Sequence, residues 1–150
     1  MGADKSGLMQ EGVTETVIRA FYSVYNELGA GFLEHVYENA LLLCLHDAGL
    51  EAWQQVPVDV YFRGHRAGEY RADLVIPQKV LIEIKVASTL SPAHEAQLVN
   101  YLKATGIPVG LLLNFGPRPQ VKRRVHSKNP LLSASIRPYP RSKRECSTKS

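Results

Sequence analysis

Between residues 14 and 48 the apolar positions fall at helical spacing. Val17, Ile18, Phe21, Val24, Tyr25 and Leu28 recur about every 3.6 residues and define one face of a helix over residues 14–28. Thr14 is placed to cap its start and Gly29 to end it. Leu33, Val36, Tyr37, Ala40, Leu41, Cys44 and Ala48 repeat the pattern over residues 31–48, and Gly49 follows as a helix stop. Then the period drops to two. Val56, Val58, Val60 and Phe62 alternate along a strand over residues 55–62, and Arg63-Gly64-His65-Arg66 supplies a turn. Strands over residues 69–76 and 79–86 are joined by Pro77-Gln78, so three strands on short loops predict an antiparallel meander. Ser91-Pro92 opens a third helix that reaches about residue 105 and stops at Gly106. Residues 109–115 form an unbroken apolar run, the mark of a strand covered on both faces, and residues 120–125 add an edge strand. The order α-α-β-β-β-α-β, with that added edge, predicts an α/β domain whose mixed sheet is flanked by helices.

The chain of 150 residues suits one domain, drawn over residues 14–126 between a flexible segment 1–13 and a basic, Ser- and Pro-rich flexible tail 127–150. The net charge of +4 hides a split: residues 1–116 hold 8 Lys/Arg against 13 Asp/Glu, whereas residues 117–150 hold 10 against one. An acidic body with a basic extension suits metal carboxylates beside a phosphate-seeking tail, and equally suits a solubilising tail. The start has no apolar stretch of the secretory kind, and the aliphatic run 40–45 is too short to span a bilayer. Cys44 and Cys146 are far apart and form no C-x-x-C, so neither a disulfide nor a zinc site is expected and a cytoplasmic setting fits.

Candidate chemistry gathers in the middle of the chain. In the strand 79–86, Val80, Ile82, Ile84 and Val86 point one way and Leu81, Glu83 and Lys85 the other. Glu83 and Lys85 are then about 7 Å apart along the backbone. Alone, such a pair reads as a surface ion pair worth about 0–1 kcal/mol. Asp73 lies on the preceding strand, and a hairpin at Pro77-Gln78 brings it near residues 79–83. A one-residue slip would turn it to the other face. In the right register two carboxylates converge beside a lysine, a means of holding a divalent metal next to an activated water. Glu34 and Glu38 share a helix face one turn apart, as do Gln97 and Tyr101, with His94 a turn before. There is no H-E-x-x-H and no glycine-rich phosphate loop, which argues against a zinc peptidase, a kinase or a dinucleotide-binding enzyme.

Gly31-Phe32-Leu33-Glu34-His35-Val36-Tyr37 fits the string G-x-x-E-x-x-Y, and Asn100-Tyr101-Leu102 and Leu112-Leu113-Asn114-Phe115 accompany it. Over roughly residues 14–125 the chain resembles the GxxExxY protein family, grouped with the PD-(D/E)XK nuclease superfamily. The resemblance implies a mixed sheet flanked by helices and a Mg²⁺- or Mn²⁺-dependent nuclease. Asp73, Glu83 and Lys85 would be its acid, acid and lysine, Glu34 would join the metal shell with Asp73 and Glu83, and Gln97 and Tyr101 resemble a Q-x-x-x-Y motif of RecB-type nucleases. Ala72 stands where the superfamily name has proline. The expected partner is nucleic acid, with DNA favoured, no membrane association, and a homodimer left open. A nucleic-acid-binding module with little cleavage and a protein-interaction domain are the alternatives.

Overall fold

The computed structural model describes residues 2–126, with side chains from Gly12 onward. Two helices come first, α1 (Gly2–Leu28) and α2 (Glu34–Asp47). They are followed by β1 (Trp53–Phe62), β2 (His65–Ile76), β3 (Val80–Lys85), α3 (Pro92–Thr105), β4 (Val109–Asn114) and β5 (Gln120–Val125). The five strands form one sheet in sequence order. β1, β2 and β3 are an antiparallel meander, β4 runs parallel to β3 after the α3 crossover, and β5 lies antiparallel at the edge. This is the mixed sheet that the hydrophobic periods predict.

Helices cover both faces. Val80, Ile82 and Ile84 of β3 and Leu111 and Leu113 of β4 pack with Val17, Phe21, Tyr37 and Leu41 of α1 and α2. Leu81 and Leu112 point the other way and pack with Leu98, Tyr101 and Leu102 of α3. β4 is therefore buried along its whole length, and each of its leucines contributes about 1.5–3 kcal/mol by burial. α3 starts as expected: Ser91 Oγ accepts from the His94 amide at 3.3 Å, and the Ser91 amide donates to His94 Nδ1 at 3.2 Å. His94 thus completes a reciprocal cap. Gly106, at φ +76°, ends the helix.

Several boundaries differ from expectation. α1 begins at Gly2, not at Thr14, because residues 3–11 include good helix formers and Thr14 sits buried within the helix. α2 begins at Glu34 rather than residue 31, because Gly31 at φ +114° lies outside helical geometry. Only Arg63 and Gly64, at φ +50° and +78°, make the β1–β2 turn, and Phe62 pairs with His65. Two positive φ values match the twist of the flanking strands, so residues 65 and 66 join β2. Phe62, placed by alternation with Val56 and Val58, is 62% exposed, because the register shifts between Val60 and Tyr61. Cys44 is half-buried on α2, and burial pushes its thiol pKa up. The expected tail 127–150, with Cys146, lies outside the described residues. Among the described residues no helix is long and apolar enough to cross a membrane.

Candidate functional site

β2 and β3 pair only at Leu74↔Ile82, Val75↔Leu81 and Ile76↔Val80. The next step of that register sets Asp73 against Glu83, and there side chains replace the ladder. The Asp73 amide donates to Glu83 Oε2 at 3.1 Å, and the Ile84 amide donates to Asp73 Oδ2 at 2.7 Å. The two carboxylates thus meet where the strands part, in the register that makes them converge. Glu83 is 5% exposed and Asp73 is half-buried.

The other side of Asp73 is also irregular. The β1–β2 register passes from Gln54↔Leu74 to Val56↔Ala72 and skips Gln55 and Asp73. Gln55 has φ +52°, a left-handed conformation that costs a residue with a Cβ roughly 1–2 kcal/mol. Its carbonyl accepts from Arg71 Nη1 at 3.2 Å. Ala72 packs on the α3 side and Leu74 on the α1–α2 side, although residues two apart in a regular strand share a face. β2 therefore turns over at Asp73.

This irregularity brings α2 into the site. Gln55 Nε2 donates to Glu38 Oε1 at 2.9 Å and to Asp73 Oδ1 at 3.3 Å. Gln54 Nε2 donates to Glu38 Oε2 at 2.6 Å and to Asn39 Oδ1 at 2.6 Å. Glu38 is 6% exposed and has both oxygens held. Glu34 is exposed at the start of α2, and its charge acts on both Glu38 and Glu83. The loop before α2 is held by Tyr37, whose hydroxyl donates to the Gly29 carbonyl at 2.5 Å and accepts from the Phe32 amide at 3.2 Å. Its ring stacks on Phe115 at 4.4 Å. Tyr37, tied to Gly29 and Phe32, and Gly31, at φ +114°, thus shape the turn that precedes Glu34.

Lys85 is half-buried and lies across from Asn114 on β4. Asn114 is fully buried and clamps the chain just beyond β3. Its Nδ2 donates to the Ala87 carbonyl at 2.9 Å, and its Oδ1 accepts from the Ala87 and Gly116 amides at 3.0 Å each. From α3, Tyr101 reaches the site 4% exposed, with its ring 4.2 Å from that of Tyr70. Gln97, one turn earlier, is exposed.

The electrostatics follow from crowding partly buried acids together. Burial, then the charge of Asp73, pushes Glu83 up to about 8; the Asp73 amide and Lys85 pull the other way. Burial also raises Asp73, against the Ile84 amide, Gln55 and Lys85. Burial raises Glu38 as well, opposed by the Gln54 hydrogen bond. Tyr101 is pushed up by burial and by the nearby charges of Glu83, Tyr70 and Asp73, so its hydroxyl keeps its proton.

The donor set consists of hard carboxylate oxygens beside a lysine. Among the described residues no three His, Cys, Asp or Glu side chains form a ready-made metal cage. Mg²⁺ is commonly held by one or two carboxylates, with water and substrate phosphate filling the rest, and the Asp73–Glu83 pair fits that mode. A cation there would replace the proton that burial retains on Glu83. Sequence reasoning did not assign Glu38, Gln54 and Gln55 to the site. The one signal in the sequence is that the face carrying Glu34 and Glu38 becomes apolar at Leu41, Leu42 and Leu45, where a carboxylate needs a partner.

An α/β domain whose sheet opens over interlocked carboxylates is the class that fold and site define. The family model for the PD-(D/E)XK nuclease superfamily matches residues 11–125, and the chain belongs to that superfamily, whose members generally hydrolyse phosphodiester bonds. Comparison with curated proteins found no match. Among solved structures, "Crystal structure of SSO0001" aligns with a TM-score of 0.49 and 21% identity, over 67% of this chain and 55% of that one. The chain thus spans little more than half the length of that relative.

Proposed function

We propose that the chain is a divalent-metal-dependent nuclease that hydrolyses phosphodiester bonds in DNA. The observation that carries this reading is the Asp73–Glu83 pair, interlocked through backbone amides with Lys85 two residues further on. Asp73 and Glu83 hold Mg²⁺ or Mn²⁺, with Glu34 approaching from α2. The metal, when bound, supplies Lewis acidity at a phosphate oxygen and lowers the pKa of water. Lys85 orients the attacking water and donates to the charge that develops on phosphate. Tyr101 keeps its proton and acts as a hydrogen-bond donor, while the exposed carboxamide of Gln97 meets the phosphate backbone. Arg118 and Arg123, both exposed, and the basic residues of the tail add sequence-independent phosphate contacts that weaken with salt.

Calorimetric Mn²⁺ titration of wild type beside Asp73→Asn/Glu83→Gln tests the site. Saturable binding that the double variant loses supports the reading. A well-folded wild type that takes up no Mn²⁺ overturns it and leaves Asp73 and Glu83 as structural acids.

A further inference from the structure

Gln55 touches two of the acids, buried Glu38 and half-buried Asp73, through a single nitrogen. Its Nε2 bridges Glu38 Oε1 at 2.9 Å and Asp73 Oδ1 at 3.3 Å. Both amide hydrogens are thereby used, one toward α2 and one toward β2. The backbone beneath is fixed in the left-handed region at φ +52°, with its carbonyl tied to Arg71 at 3.2 Å. A regular strand conformation would keep Gln55 in the ladder that it now skips. The conformation that is unfavourable for glutamine is therefore the one in which its side chain lies between the two carboxylates.

We infer that Gln55 is a positioning residue for the metal site, a neutral spacer that fixes the Asp73 carboxylate against Glu38. The inference rests on the proposed metal function of Asp73. The Ile84 amide holds Asp73 Oδ2 at 2.7 Å, and Gln55 holds Oδ1, so the plane of the carboxylate is set by two donors from two different strands. Glu38 in turn is fixed by Gln54 and Gln55 together, which makes it the anchor of the relay rather than a free ligand. The relay runs α2, β1, β2. Groups that orient a ligand typically contribute about 10–100-fold to metal affinity or activity.

The test is Mn²⁺ affinity by calorimetry, together with thermal unfolding, for wild type, Gln55→Gly and Gln55→Asn. Glycine adopts a positive φ freely, and asparagine tolerates it, so both variants preserve the backbone. Glycine removes the bridging amide, and asparagine is one methylene too short to span both acids. The expected result is a Mn²⁺ Kd raised by about 10-fold or more in both variants, with cooperative unfolding retained. A role confined to stability would move Tm and leave Kd within about two-fold of wild type, and that result overturns the inference. If wild type itself binds no Mn²⁺, the proposed function falls and the role of Gln55 with it. If wild type binds and both variants bind equally well, only the role of Gln55 falls.

Discussion

Asp73 and Glu83 take over from the backbone ladder where β2 and β3 separate: the Asp73 amide donates to the Glu83 carboxylate at 3.1 Å, and Asp73 accepts from the amide next to Glu83 at 2.7 Å. Two neighbouring acids are thus held together by main-chain donors, which favour their charged forms. Burial outweighs those donors and leaves both acids reluctant to ionise, which makes protons and stability interdependent.

The first consequence is a pH dependence of the metal-free protein. Glu83 is raised from an ordinary 4.5 to about 8. Between those values the folded chain keeps a proton that the unfolded chain has released. The associated stability is complete below the unfolded value and is lost as pH rises through the folded one. Asp73 and Glu38 are shifted in the same direction. In chelator, Tm should therefore fall from pH 5 to pH 8.5, on the order of 5–10 °C. Glu83→Gln, which stays neutral, should flatten that slope. A wild-type Tm that is level or rises over this range contradicts the assignment.

Tyr37→Phe tests the turn before α2. The substitution keeps the stack on Phe115 and removes only the hydroxyl that joins the Gly29 carbonyl to the Phe32 amide. Two backbone groups lose their partner, for an expected cost of about 1–3 kcal/mol by chemical denaturation. Faster amide exchange at Phe32 should accompany it. Unchanged stability and exchange would show that the loop is held by other contacts.

Gly116→Ala tests the clamp beyond β3. A Cβ at this position would overlap the Ala87 carbonyl, which is backbone and cannot swing aside. That carbonyl is also the acceptor for Asn114 Nδ2 at 2.9 Å. The variant should lose about 2–4 kcal/mol or fail to accumulate as folded protein. Wild-type stability in this variant would mean that the segment from Asn114 to Gly116 packs differently.

Much of the fold is legible because apolar spacing and local end signals agree. Ser91-Pro92 and Gly106 bracket α3, and Val109–Asn114 reads as a covered strand because both of its faces are buried. The Asp73–Glu83 meeting is partly legible too. The turn at Pro77-Gln78 limits the register, and the need to bury Leu74, Ile76, Val80 and Ile82 against α1 and α2 selects one alignment. The Glu38–Gln55–Asp73 relay is not legible. It joins residues 17 and 18 positions apart through tertiary packing. Its left-handed turn falls on a glutamine, where no glycine or asparagine marks it. Helix periodicity shows that Glu34 and Glu38 share a face, but only the packing of α2 against the sheet, within reach of Gln54 and Gln55, shows that Glu38 is the one held in the hydrogen-bond network.

The most direct measurement is cleavage of plasmid and single-stranded DNA in Mn²⁺ or Mg²⁺ by wild type and by Glu83→Gln, a substitution that mimics the protonated acid and so preserves the fold. The account predicts metal-dependent cleavage by wild type, abolished by chelator and reduced by about 10³-fold or more in the variant. Equal cleavage by Glu83→Gln, or none by a wild type shown to bind metal, would contradict the claim that this pair of carboxylates performs phosphodiester hydrolysis.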